Sequence, residues 1–255
     1  MTQEIYTAAL IIIGDEILSG RTQDKNTSWI AEKLNDVGVR LREVRVIPDD
    51  RQKIIETVNS MRQDHDYVFT TGGIGPTHDD ITAESIAAAF DVDLVLNDDA
   101  YARLLDYYQD ENEITPSRKK MAYVPSGSTL IPNPVSGAPG IQIENVYVMA
   151  GVPRIMQSML DSIVPTLKGG ALVESRTVDC DLAESIVAEG LGKIQSNYPD
   201  IAIGSYPKYH NGRFGTALVL RGTDEDLLGR ATQDVIDLVA SVSYTHLTLP
   251  TMYTV

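Results

Sequence analysis

Ala8 to Ile13 is an unbroken apolar run that stops at Gly14. Apolar residues without alternation predict a strand covered on both faces, as in a parallel α/β sheet. Ile30, Leu34 and Val37 fall at i, i+4 and i+7, which predicts a helix over 26–37 closed by Gly38. Leu41 to Ile47 alternates apolar and polar positions, so it reads as a strand nearer the sheet edge, ending in Pro48-Asp49-Asp50. Ile54, Ile55, Val58 and Met61 mark the next helix, and Tyr67-Val-Phe69 the next strand. An alanine-rich helix follows over 81–90, and Leu104, Leu105 and Tyr108 mark another over 97–108. Strand and helix in repeated alternation predict a mostly parallel sheet with helices on both faces.

The pattern then loosens. Pro125 to Gly140 is rich in Pro, Gly, Ser and Asn, and an irregular run of that length inside a domain is often a functional loop. Residues 141–143 and 146–149 read as paired strands around Glu144-Asn145, followed by a helix carrying Ile155, Met156, Met159, Leu160, Ile163 and Leu167. Lys168-Gly-Gly170 is the expected boundary between a domain over 1–168 and a smaller β-α-β-β-α layer over 171–240, whose central strands join at a turn containing Asn211-Gly212. Tyr206 and His210 lie on that hairpin, where an exposed position or a ligand contact are both open. Residues 242–255 share no stripe with the preceding helix and resemble the translation of a transposase adapter from sequencing libraries, so they are expected to be an artefactual tail.

Candidate chemistry sits at the ends of the predicted strands, where open α/β sheets carry their ligands. Thr71-Gly-Gly-Ile-Gly-Pro-Thr77 joins a strand to a helix, with Thr82 placed to cap that helix. Backbone N–H groups of Gly72, Gly73 and Gly75, fixed by Pro76, together with the helix N-terminus, predict an anion site. Asp79 and Asp80 stand just beyond it, where carboxylates would repel a phosphate unless a divalent cation such as Mg²⁺ lies between. The alternative is a tight turn in which one of the two caps the helix. Gly14-Asp15-Glu16-Ile-Leu-Ser19-Gly20 follows the first strand, and Asp49 follows the second; loop solvation is the plainer fate of Asp15 and Glu16, and capping of the next helix by Asp49 or Asp50 the plainer reading there. Asp24 and Asn26 are placed to cap the first long helix or reach a ligand. Arg118, Lys119 and Lys120 form one local positive cluster.

The chain has 255 residues, 43% of them hydrophobic, and a formal net charge of −15. That balance argues against nucleic acid or an anionic membrane as the main partner. One cysteine, Cys180, allows no internal disulfide and fits the cytoplasm. No apolar run is long enough to span a bilayer, and no signal peptide is visible.

Gly14-Asp-Glu-Ile-Leu-Ser-Gly20 with Asp24 and Asn26, and Thr71-Gly-Gly-Ile-Gly-Pro-Thr-His-Asp-Asp-Ile-Thr82, resemble the MoaB/Mog molybdopterin-binding superfamily over residues 5 to 168. Gly-Asp-Glu at the first motif resembles its CinA (competence/damage-inducible) branch, and residues 171–240 resemble the KH-like layer that follows in that branch. The resemblance implies a three-layer α/β/α sandwich with a small α+β domain after it, and a homo-oligomer, dimer or trimer. It implies a metal-dependent pyrophosphatase acting on ADP-ribose or a related dinucleotide diphosphate. Asp49 and Asp80 would be the critical aspartates and metal ligands, with Asp79 beside them. Gly14, Asp15, Glu16, Ser19, Asn26, Thr71, Gly72, Gly73, Gly75, Pro76 and Thr77 would bind the substrate. Molybdopterin binding or adenylylation, and a non-enzymatic nucleotide-binding module, are the alternatives. The nicotinamide-nucleotide deamidase activity of full-length CinA is not expected of these residues. The second domain is not basic and lacks a Gly-x-x-Gly linker, so RNA binding is not expected.

Overall fold

The computed structural model describes residues 4–210, 213–243 and 251–254. It divides into two units, broken between Gly170 and Ala171.

In the first unit, β1 (Tyr6–Ile13) leads through a short helix α1 (Asp15–Leu18) to α2 (Asn26–Asn35), β2 (Val39–Ile47), α3 (Arg51–Asp64) and β3 (Tyr67–Thr71). There follow α4 (Thr82–Ala89), β4 (Leu94–Leu96), α5 (Asp98–Tyr108), α6 (Pro116–Lys120), β5 (Tyr123–Pro125), β6 (Thr129–Ile131), β7 (Gly140–Ile143), β8 (Val146–Met149) and α7 (Pro153–Ile163). The main sheet has the order β2-β1-β3-β8-β7-β6. Its first four strands are parallel and its last two antiparallel, while β4 and β5 pair separately. The sheet is the expected mostly parallel one, and β2 is its edge.

The parity of β1 builds the layers. Ala9, Ile11 and Ile13 pack on one face with Ile54, Val58, Met61 and Ile86 of α3 and α4. Ala8, Leu10 and Ile12 pack on the other with Ile30 and Leu34 of α2 and Met156, Met159 and Leu160 of α7. Both faces are buried, which is why the run lacks alternation. Each such buried aliphatic side chain stabilises the fold by roughly 1.5–3 kcal/mol relative to exposure. The methionines of α7 are core, as their spacing indicates.

Two local readings change, and one open alternative is resolved. Asp15–Leu18 is a turn of helix rather than loop. Thr82 does not cap α4: Ile81 holds that position without a side-chain bond, and the Thr82 hydroxyl donates to the Gly72 carbonyl at 3.0 Å. Asp50, not Asp49, caps α3, accepting from the Lys53 N–H at 2.7 Å. That leaves Asp49 free for other work.

The glycine pair before the break is stitched to the first unit. Gly170 N–H donates to the Gly38 carbonyl at 3.2 Å, and the Tyr67 hydroxyl accepts from the Lys168 N–H at 2.8 Å. A Cβ on Gly169 would overlap the Val37 carbonyl oxygen.

In the second unit, β9 (Glu174–Cys180), α8 (Glu184–Asn197), β10 (Ala202–His210), β11 (Arg213–Gly222) and α9 (Glu225–Ser243) form the expected β-α-β-β-α layer. A further strand, β12 (Thr251–Thr254), pairs antiparallel with β9, giving the order β10-β11-β9-β12. The last helix runs three residues past its expected end at Ala240. The core joins Val178, Leu218 and Leu220 of the sheet to Val187, Leu191, Leu228 and Val235 of the helices. Asn211-Gly212 and the side chain of His210 lie outside the described residues.

Candidate active site

The chain passes from β1 to β2 on one side of the sheet and then to β3 on the other, so β1 and β3 flank a topological switch point. Open α/β sheets form their ligand crevice there. A cleft of about 620 Å³ lies at this edge, within the usual range for small-molecule sites. Ile13, Glu16, Asp49, the Gly72–Pro76 loop, Asp79, Asp80 and Gly151 all line it.

Glycine is required at the centre. Gly72 has φ +104°, and a Cβ there would overlap the Ile13 carbonyl oxygen. Its N–H donates to the Met149 carbonyl at 3.1 Å, so it ties three strand ends together and is not an anion donor, contrary to expectation. Among the described residues, the N–H groups of Gly73, Ile74 and Gly75 have no partner. These are the donors that a phosphate can use. Gly75 leaves the space taken by the Asp80 carboxylate, which a Cβ would meet at 2.6 Å.

The carboxylates differ in environment. Asp49 accepts from the Asp15 N–H at 3.0 Å. Burial pushes its pKa up, and the charges of Asp15, Glu16 and Asp79 add to the rise, against the lowering effect of that hydrogen bond. Asp80 accepts from the Thr77 N–H at 2.8 Å and from the Thr77 hydroxyl. That hydroxyl also stands close to Asp79, where it, the backbone, His78 and Lys120 hold the Asp79 carboxyl below its usual range. The Lys120 ammonium donates to the Thr77 carbonyl at 3.2 Å, so the cluster's third member serves the glycine loop. Arg118 instead pairs with Glu113 at 2.8 Å.

Hard carboxylate oxygens crowding one another suit Mg²⁺, which takes one or two of them and completes its shell with phosphate and water. Among the described residues no three His, Cys, Asp or Glu side chains converge into a closed metal site. Asp49 and Asp80 would therefore hold such a cation only together with ligand oxygens.

Other expected residues stand apart from the cleft. Asn26 and Thr71 line a neighbouring cavity of about 60 Å³ with Glu16 and Asp24. The Asn26 amide donates to the Gly151 carbonyl at 2.9 Å, while Asn26 Oδ1 and Thr71 Oγ1 are buried with no partner. Lys25 holds the cap position without a side-chain bond, and Asp24, one residue before it, accepts from the N–H of Asn26 at 2.9 Å. Gly14 is buried and makes room for the Glu16 carboxylate. The Thr77 hydroxyl is spent within the loop. Asp15 and Ser19 are exposed and do not line the cleft; Ser19 donates to the Glu16 carbonyl at 3.3 Å. Sequence reasoning missed Tyr107, Tyr108, Met121, Asn133, Ser136 and Ala138, which also line it. The Pro- and Gly-rich run over 125–140 was the available signal for the last three.

A mostly parallel sheet whose switch point carries a glycine loop faced by carboxylates places the first unit among α/β domains with their crevice at the strand ends. Residues 9–169 match the family described as "Probable molybdopterin binding domain", and the chain belongs to that family. Residues 173–246 match "FAD synthase, middle domain". A protein of Archaeoglobus fulgidus is 37% identical over 199 residues, 78% of this chain and 85% of that one. A protein of Pyrococcus abyssi is 30% identical over 240 residues, 89% of this chain and 94% of that one. The crystal structure of the protein CinA with unknown function from Thermoplasma acidophilum is 34% identical, with a TM-score of 0.60, covering 64% of this chain and 98% of that one. Among the described residues no helix is long and apolar enough to cross a membrane.

Proposed function

We propose that the cleft binds the diphosphate of ADP-ribose or a related dinucleotide and hydrolyses it with a divalent cation. The carrying observation is the free N–H groups of Gly73, Ile74 and Gly75 beside Asp49 and Asp80 in one crevice. The loop donors grip one phosphate. Asp49 and Asp80 hold the cation, which when bound supplies positive charge to the diphosphate oxygens. Binding it offsets the burial, and the lesser effect of neighbouring charges, that raise the Asp49 pKa. Asp79, held ionised, and Glu16 orient the attacking water. Incubation of the full chain with a panel of dinucleotide diphosphates, with and without Mg²⁺, should release AMP only with the cation. No release from any of them overturns the reading.

A second reading is molybdopterin binding or adenylylation, favoured by the family description of residues 9–169. It predicts co-purified pterin fluorescence, and AMP transfer from ATP in place of diphosphate hydrolysis.

A further inference from the structure

Part of the cleft lining comes not from strand ends but from the segment around α5 and the loop before β7. Tyr107 is 49% exposed, an unusual surface for a large aromatic residue inside a concavity already floored by apolar groups. Its ring meets that of Tyr108 edge-on, at 5.1 Å and 87°. Tyr108 is half-buried, with the Arg118 guanidinium 4.2 Å from its ring centre. The Cβ of Tyr107 packs against Gly137, where any side chain would collide with it. The loop carrying Gly137 is braced by Asn133, whose amide donates to the Ala138 carbonyl at 2.7 Å and whose Oδ1 accepts from the Val135 N–H at 3.1 Å. Helix α5 ends directly after Tyr108, at Gln109 with φ +60°. Among the described residues the Tyr107 hydroxyl has no hydrogen-bond partner. The ring is thus anchored at its base and edge and left open to the cleft.

We infer that Tyr107 is the platform on which the ligand's planar heterocycle stacks, and so a specificity-determining residue of this site. The inference rests on the reading of the glycine loop as the phosphate end. An aromatic platform fixed before binding gains stacking contact without an ordering cost. The ligand class is then a phosphate ester of a nucleoside or a pterin, and sugar phosphates alone bind weakly.

The ring-bearing probes and ribose 5-phosphate carry no diphosphate to cleave. Calorimetric titration of the full chain compares AMP and neopterin phosphate with ribose 5-phosphate, and inorganic pyrophosphate reports on the phosphate end. At least one ring-bearing probe should bind the wild type more tightly than ribose 5-phosphate does. Tyr107→Ala should weaken that probe about tenfold, on the scale of losing one stacking partner. Tyr107→Phe should keep the affinity, and pyrophosphate binding should be the same in all three proteins, which also shows that the fold is intact. Ring-bearing probes that bind Tyr107→Ala as well as wild type, or no better than ribose 5-phosphate, overturn the assignment alone. Absence of pyrophosphate binding to the wild type overturns the phosphate reading and the assignment with it.

Discussion

The two units are both sheets backed by helices, yet they distribute their polar residues differently. In the first, β1, β2, β3 and β8 are parallel, so the loops that follow them all leave by one edge. Residues as distant in sequence as Glu16, Asp49, Gly73, Asp80 and Gly151 meet there. In the second, β9 and β10 both run against β11, so the loops after its strands are divided between two edges. Its acids are used along strands, as where the Lys208 ammonium pairs with Asp179 at 2.6 Å. Strand direction, more than the supply of carboxylates, decides where chemistry gathers.

That contrast can be broken by substitutions in each unit. Leu218→Ala, at a fully buried position in the second unit, should cost about 2–5 kcal/mol in denaturant unfolding. AMP release should stay within twofold; a larger fall means that the second unit takes part in turnover. Asp80→Asn should lower AMP release by about 100-fold or more, while Asp179→Asn leaves it unchanged. A loss under threefold in Asp80→Asn removes that residue from the mechanism. Gly72→Ala, forced into a left-handed backbone, should cost at least about 1–2 kcal/mol in unfolding and abolish pyrophosphate binding.

The smallest effects come from the protonation of Asp49. Its pKa is raised in the folded protein, so activity should fall on acidification at a higher pH than an ordinary carboxylate would give. Asp49→Asn should lower AMP release about as far as Asp80→Asn does, and the residual activity should lack that limb of the pH–rate profile. The stability effect has the opposite sign. A folded-state pKa above the unfolded value makes the ionised group unfavourable to folding at neutral pH, and the penalty is relieved as pH falls through the folded pKa. Ligand-free Asp49→Asn should therefore melt slightly above wild type at pH 7, with the gap closing below the unfolded carboxylate pKa. A lower melting point at pH 7 would show that the Asp15 N–H bond outweighs burial.

Much of the first unit is legible in the sequence because its signals are local. A two-sided strand such as Ala8–Ile13 declares itself by lacking alternation, and Gly72 by standing where only glycine tolerates the backbone. What local patterns miss are contacts made across long sequence separations. Asn26 reads as a helix cap or a ligand residue, yet its amide is committed to Gly151, 125 residues away. Thr82 reads as a cap, and its hydroxyl instead secures the glycine turn. Tyr108 counts toward a helical stripe, and nothing in the spacing of α5 reveals that Tyr107 faces a cleft. The glycine loop could be placed from sequence, but which of its N–H groups stay free depends on β8.

The knot of bonds around Lys168 and Gly170 sets a rule for dissecting the molecule. A fragment cut at the end of α7 would strip the Tyr67 hydroxyl and the Gly38 carbonyl of their partners, beside the first strand of the sheet. An excised first unit should retain every residue through Gly170, and any spacer engineered between the halves belongs after it.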